Sequence, residues 1–140
     1  MNAKLAIQFL ASITIQAHVF IRQLEEYLQA DDVPDSIVHR IHTHDQDLCI
    51  VLTHLRQRYL GLEQYRASYP ETEWIDDVKE SDEEVYVKCR EKSLRIIQLI
   101  FGITASLPVE KLPHMHEIQG CIDSLKEFEQ YNTNGYAGKS

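Results

Sequence analysis

Leu10-Ala11-Ser12-Ile13-Thr14-Ile15-Gln16-Ala17-His18-Val19-Phe20-Ile21-Arg22-Gln23-Leu24-Glu25-Glu26-Tyr27-Leu28 is the stretch on which the fold turns. Leu10, Ile13, Ala17, Phe20, Leu24 and Leu28 recur at three- and four-residue steps, which sets them on one face of an α-helix. Glu25, Glu26 and Gln29 lie off that stripe. The helix is expected from about Ala3 to Ala30, where Asp31-Asp32-Val33-Pro34 ends it, because the residue before proline disfavours the α conformation. A leader or a membrane span would need an unbroken apolar run. Gln8, Ser12, Thr14, Gln16 and His18 interrupt this one, and no Ala-x-Ala-like cleavage site follows. The stretch therefore reads as a core helix of a soluble protein.

Three further segments carry the same period. The second begins at Pro34 and runs to about Arg66, with Val38, Ile41, Leu48, Val51 or Leu52, Leu55, Tyr59 and Leu62 in register. One step of that stripe falls on His44 or Asp45. A polar group there must be hydrogen-bonded if buried, and Thr14 or His18 of the first helix is the expected partner. The third segment opens at Ser81, with capping-box spacing to Glu84 and carboxylates at the positive end of the helix dipole. Its stripe is Val85, Cys89, Ile96, Ile100, Ile103 and Leu107, closed by Pro108. The fourth starts near Pro113 and carries Met115, Ile118, Ile122, Leu125 and Phe128 around Gly120. No strand pattern of convincing length appears. Four one-sided helices must bury their faces against each other, so the expected fold is an all-α, four-helix bundle-like single domain over residues 1–131. Residues 132–140 hold two glycines and no apolar pattern, and read as a disordered tail.

The 140 residues carry 14 Lys plus Arg against 22 Asp plus Glu, a formal charge of −8. This balance argues against a general nucleic-acid or anionic-membrane binder, since both need positive potential. The excess is concentrated. Glu71, Glu73, Asp76, Asp77, Glu80, Asp82, Glu83 and Glu84 face only Lys79 in the connector between the second and third helices, which leaves 14 acidic and 13 basic residues elsewhere. Trp74 sits within this connector, with Ile75 and Val78. Tryptophan anchors binding hot spots and charge complementarity sets specificity. Trp74, Glu71, Glu73, Asp76, Asp77, Glu80, Asp82 and Glu83 therefore form the candidate surface for a protein partner with a basic face. The ordinary alternative is a solvated loop pinned by its apolar residues. Basic residues cluster at Arg56, Arg58 and Arg66 and at Lys88, Arg90, Lys92 and Arg95, where Glu84–Lys88 and Glu91–Arg95 have the spacing of helical ion pairs.

The second candidate site is histidine-rich. Asp35, His39 and His42 share one helix face, with His44 nearby, and a carboxylate with two imidazoles suits a borderline metal. The segment lacks the H-E-x-x-H arrangement and the paired Glu-x-x-His motifs of known metal sites. Cys49, Cys89 and Cys121 form no C-x-x-C pair and each sits in or beside an apolar stripe, which fits small buried thiols in a reducing cytoplasm. No P-loop, G-x-G-x-x-G or G-x-S-x-G is present. The Lys and Gly that follow the phosphorylated His of histidine phosphotransfer bundles are replaced after His54 by Gln57 and Arg58. The expectation is a non-enzymatic interaction module (an inhibitor, immunity-type protein, adaptor or small subunit) that needs no cofactor and has apolar surface for a homodimer. The competing expectation is a metal- or small-ligand-binding bundle, or an enzyme, built on residues 39–47 with Asp35.

Overall fold

The computed structural model describes residues 2–60, 62–73, 80–107 and 112–139. The described residues form helices α1 (Ala3–Ala30), α2 (Asp35–Leu60), α3 (Leu62–Ser68), α4 (Asp82–Ala105) and α5 (Met115–Lys139), with a 3-10 turn at Glu71–Glu73 and no strand. The long helices make an all-α bundle in which α1 packs on α2, α4 and α5, α2 on α4, and α4 on α5. Contacts between α1 and α2 pair His18 with Asp45 and Glu25 with His42, so the two helices run antiparallel.

The core is built from the expected stripes. Leu10, Ala17, Leu24 and Leu28 of α1 meet Ile41, Leu48 and Leu55 of α2, Val85, Cys89 and Ile100 of α4, and Ile118, Ile122 and Leu125 of α5. Each fully buried Leu or Ile contributes about 1.5–3 kcal/mol. Truncating Leu24 to Ala would cost about 2–5 kcal/mol. By length and composition α1 could cross a bilayer. Here its stripe is buried within the bundle. Phe20 is only half-buried and stacks on His114, with ring centroids 5.1 Å apart, while Ile7 and Ile21, outside the expected stripe, are fully buried.

Local chemistry sets the helix ends. The Asn2 side chain caps α1 by accepting from the Leu5 amide at 2.8 Å. At the other end Asp32 takes φ 59°, and the Val33 amide donates to the Leu28 carbonyl at 3.3 Å. Val33 and Leu28 are both buried, which completes a Schellman motif with Asp where Gly is usual. Ser81 caps α4 by accepting from the Glu84 amide at 3.2 Å, as its spacing suggested.

The helix expected to reach Arg66 is described as α2 to Leu60 and as α3 from Leu62 to Ser68, with Gly61 between them outside the described residues. One boundary differs from the sequence reading. Helix α5 continues through residues 132–139, the stretch expected to be disordered. Once a packed first half nucleates a helix, each further residue adds a backbone hydrogen bond without needing an apolar stripe.

Candidate functional site

The acidic edge begins on the 3-10 turn, where Glu71 and Thr72 are exposed. Trp74, Asp76 and Asp77 lie outside the described residues, as does the side chain of Glu73. The far end of the connector is tied down. Arg58 of α2 donates through Nη1 to Asp82 at 3.0 Å and through Nη2 to the Glu80 carbonyl. Lys88 of α4 donates to both Glu80 carboxylate oxygens, at 2.9 and 3.0 Å. Lys88 thus reaches across to Glu80, although its spacing suggested Glu84. Glu80 and Asp82 are half-buried in these pairs, whereas Glu83 and Glu84 are exposed on the first turn of α4. Among the described residues, the predicted acidic set is therefore divided between the carboxylates tied by Arg58 and Lys88, Asp82 and Glu80, and those that face water, Glu71, Glu83 and Glu84.

A second polar feature runs along the seam between α1 and α2. Helical phase puts His18 and Glu25 on the flank of the α1 stripe that meets α2. Helix α2 answers with His42, Asp45 and Cys49, at three- and four-residue steps. Asp45 is the interrupted stripe position, only 3% exposed, and it accepts a hydrogen bond from His18 Nδ1 at 2.8 Å. Asp45, and after it Cys49, favours the protonated ring and pushes the His18 pKa up to about 10, against a smaller opposing effect of burial. His18 is the partner the sequence pointed to. Thr14, the other candidate, turns to Ser93 of α4 at 3.3 Å and to its own Leu10 carbonyl at 2.8 Å.

One helical turn further along, His42 Nδ1 meets Glu25 Oε1 at 3.2 Å. Burial, and then the negative charge of Asp45, push the Glu25 carboxyl above its ordinary range, opposed by His42 and Arg22. Asp35, His39 and His42 do line one groove, together with Glu25 and Gln29. The group of donor atoms that meets within 4.8 Å among the described residues is a different one: His18, Asp45 and Cys49. Cys49 is half-buried, with Sγ 3.8 Å from His18 Nδ1 and 3.9 Å from Nε2. Sequence reasoning took it for a core thiol. Its phase, one turn beyond Asp45, was the only available signal, and it needed the register of α1 against α2 to be read.

The other two thiols do behave as core groups. Cys121 is buried and its pKa is raised by that burial. Cys89 is buried with Sγ 3.7 Å from His54 Nδ1. Arg90, a member of the basic cluster on this helix, is also buried and donates from Nε to the Leu125 carbonyl of α5 at 3.1 Å. Comparison with family models, curated proteins and solved structures gives no match.

Proposed function

We propose that this chain is a non-enzymatic interaction module that binds a basic protein partner through the acidic edge between α2 and α4. The observation that carries the reading is the double anchorage of that edge, Arg58 on Asp82 and the Glu80 carbonyl, and Lys88 on the Glu80 carboxylate. A charged surface that is already positioned loses less conformational entropy when it binds. The exposed carboxylates of Glu71, Glu83 and Glu84 supply the steering field, and Trp74 with Asp76 and Asp77 supplies the anchor in sequence. Cys49, Cys89 and Cys121 are free thiols, which agrees with a cytoplasmic setting. Leu5, Phe9 and Val19 are each about half exposed on the solvent side of α1 and give apolar area for a second copy of the chain.

The anchoring pairs determine the experiment. Reversing Glu80 or Asp82 would remove a structural tie, so the informative variant reverses Glu71, Glu73, Asp76, Asp77 and Glu83 to Lys. Capture of a partner from native lysate at moderate salt should be lost in that variant and kept when Trp74 and the five acids are intact. Equal capture by both proteins would sink the proposal.

A further inference from the structure

We infer that His18, Asp45 and Cys49 form a binding site for a borderline divalent cation of the zinc class. Three donors of three kinds, an imidazole nitrogen, a carboxylate oxygen and a thiol sulfur, converge within 4.8 Å of one another from two packed helices. A His–Asp pair alone would satisfy the polar interruption in the α2 stripe. The thiol is not needed for that pairing. Its sulfur is nearly equidistant from the two ring nitrogens, at 3.8 and 3.9 Å, so it does not lie along either N–H direction. The same placement is also wrong for a thiol handing its proton to Nε2, which argues against a nucleophile–base dyad. It leaves the sulfur beside the imidazole as a third donor close to the His18–Asp45 pair.

The dimensions set what such a site requires. Bond lengths of about 2.0 Å to nitrogen and oxygen and about 2.3 Å to sulfur put tetrahedral ligand atoms roughly 3.3–3.6 Å apart. The observed edges from Nδ1 are 2.8 Å to Asp45 Oδ1 and 3.8 Å to Cys49 Sγ. Opening the first is a shift of about 0.5 Å. Closing the second also needs the Cys49 side chain to rotate, swinging Sγ away from Nε2, now 3.9 Å distant, towards the Nδ1 lone-pair side. The cation would stand where the His18 proton now bridges to Asp45, and binding would release that proton and the Cys49 thiol proton. His18 remains 20% exposed at the side chain, so a fourth position can be completed by water or by a donor from outside. One thiolate with one imidazole selects zinc, or cobalt as its spectroscopic substitute, over magnesium and calcium, which prefer oxygen.

The test is cobalt titration of the full chain under reducing conditions, followed by competition with zinc. The expected result is one equivalent bound, with a thiolate-to-cobalt charge-transfer band that zinc abolishes. Cys49→Ser should remove the band and weaken binding about 100-fold or more. Cys89→Ser and Cys121→Ser should retain both, and circular dichroism should show every variant folded. A second readout is independent of the variants. Zinc should slow alkylation of Cys49, scored by mass spectrometry against Cys89 and Cys121 in the same sample. Absence of binding, binding without a thiolate band, or binding that survives Cys49→Ser and instead follows His39 and His42 would overturn the assignment.

Discussion

His18 Nδ1 donates to Asp45 Oδ1 at 2.8 Å, joining the middle of α1 to the middle of α2 across the seam that also holds the Glu25–His42 pair. Both the register of the two helices and the charge of the seam depend on it. A charge-assisted hydrogen bond of this kind is worth about 1.5–3 kcal/mol net. Asp45 is the only charged residue in the α2 stripe, so a one-residue slip would leave it buried without its partner.

The pH dependence of this pair has a definite sign. The folded pKa of His18 is raised to about 10 from 6.5. Its stabilisation is therefore complete below pH 6.5 and is lost as the pH climbs towards 10. Asp45→Asn should lower stability by about 2 kcal/mol at pH 6, and the difference should shrink between pH 7 and 10. Urea unfolding of chelator-treated protein across that range measures it. A pH-independent difference would show that His18 is not charged in the fold.

Glu25 also loses stability as the pH rises, but because its charged form is the costly one. Its folded pKa is raised by burial and by Asp45, so the ionised carboxylate costs stability above its folded pKa, and the cost disappears below the ordinary value of 4.5. Glu25→Gln keeps an oxygen for His42 and removes the like charge near Asp45. The variant should melt at a higher temperature than the parent at pH 7 and at the same temperature at pH 4. A lower melting temperature at pH 7 would mean that the His42 contact outweighs burial.

Asp32 carries two penalties at the end of α1, a left-handed φ of 59° and a negative charge at the negative end of the helix dipole. Asp32→Gly relieves both and should stabilise the protein by about 1 kcal/mol. Asp32→Ala removes only the charge and should gain less. Chemical denaturation of the two variants side by side checks the order.

Gly102 and Gly120 sit inside α4 and α5, and an added Cβ at either would meet nothing within 4 Å. Each Gly→Ala change should add about 0.5–1 kcal/mol, and the two gains should sum because the positions lie on different helices with open space around each. A loss at Gly120 would show that this face of α5 is covered by something outside the chain.

What the sequence revealed follows from which physics is local. The stripe Leu10, Ala17, Leu24 and Leu28 obeys a period fixed by backbone geometry, and it is buried as read. Ser81 and Asp45 were legible for the same reason: one is a cap with a fixed spacing, the other a polar break in an apolar row. The Cys49–His18 approach, the Arg90–Leu125 bond and the Lys88–Glu80 pair were not legible. Each depends on how far one helix slides along another, or on how the chain re-enters α4, and no local pattern encodes either. Arg90 shows the limit most plainly. A basic residue beside Lys88 and Lys92 reads as solvent-facing, yet its guanidinium is enclosed between α4 and α5. For the acidic edge, the residues were found from composition. Their division into tethers, Glu80 and Asp82, and exposed charges, Glu71 and Glu83, required the positions of Arg58 and Lys88.

The proposal that an acidic edge steers a basic partner is tested most directly by association kinetics. With the captured partner purified, its on-rate should be measured against ionic strength for the parent chain and for the variant with Glu71, Glu73, Asp76, Asp77 and Glu83 reversed. Steering by those carboxylates predicts a parent on-rate that falls steeply as salt is added, and a variant on-rate that is slower at low salt and does not fall as salt is added. On-rates that coincide at every salt concentration would contradict it.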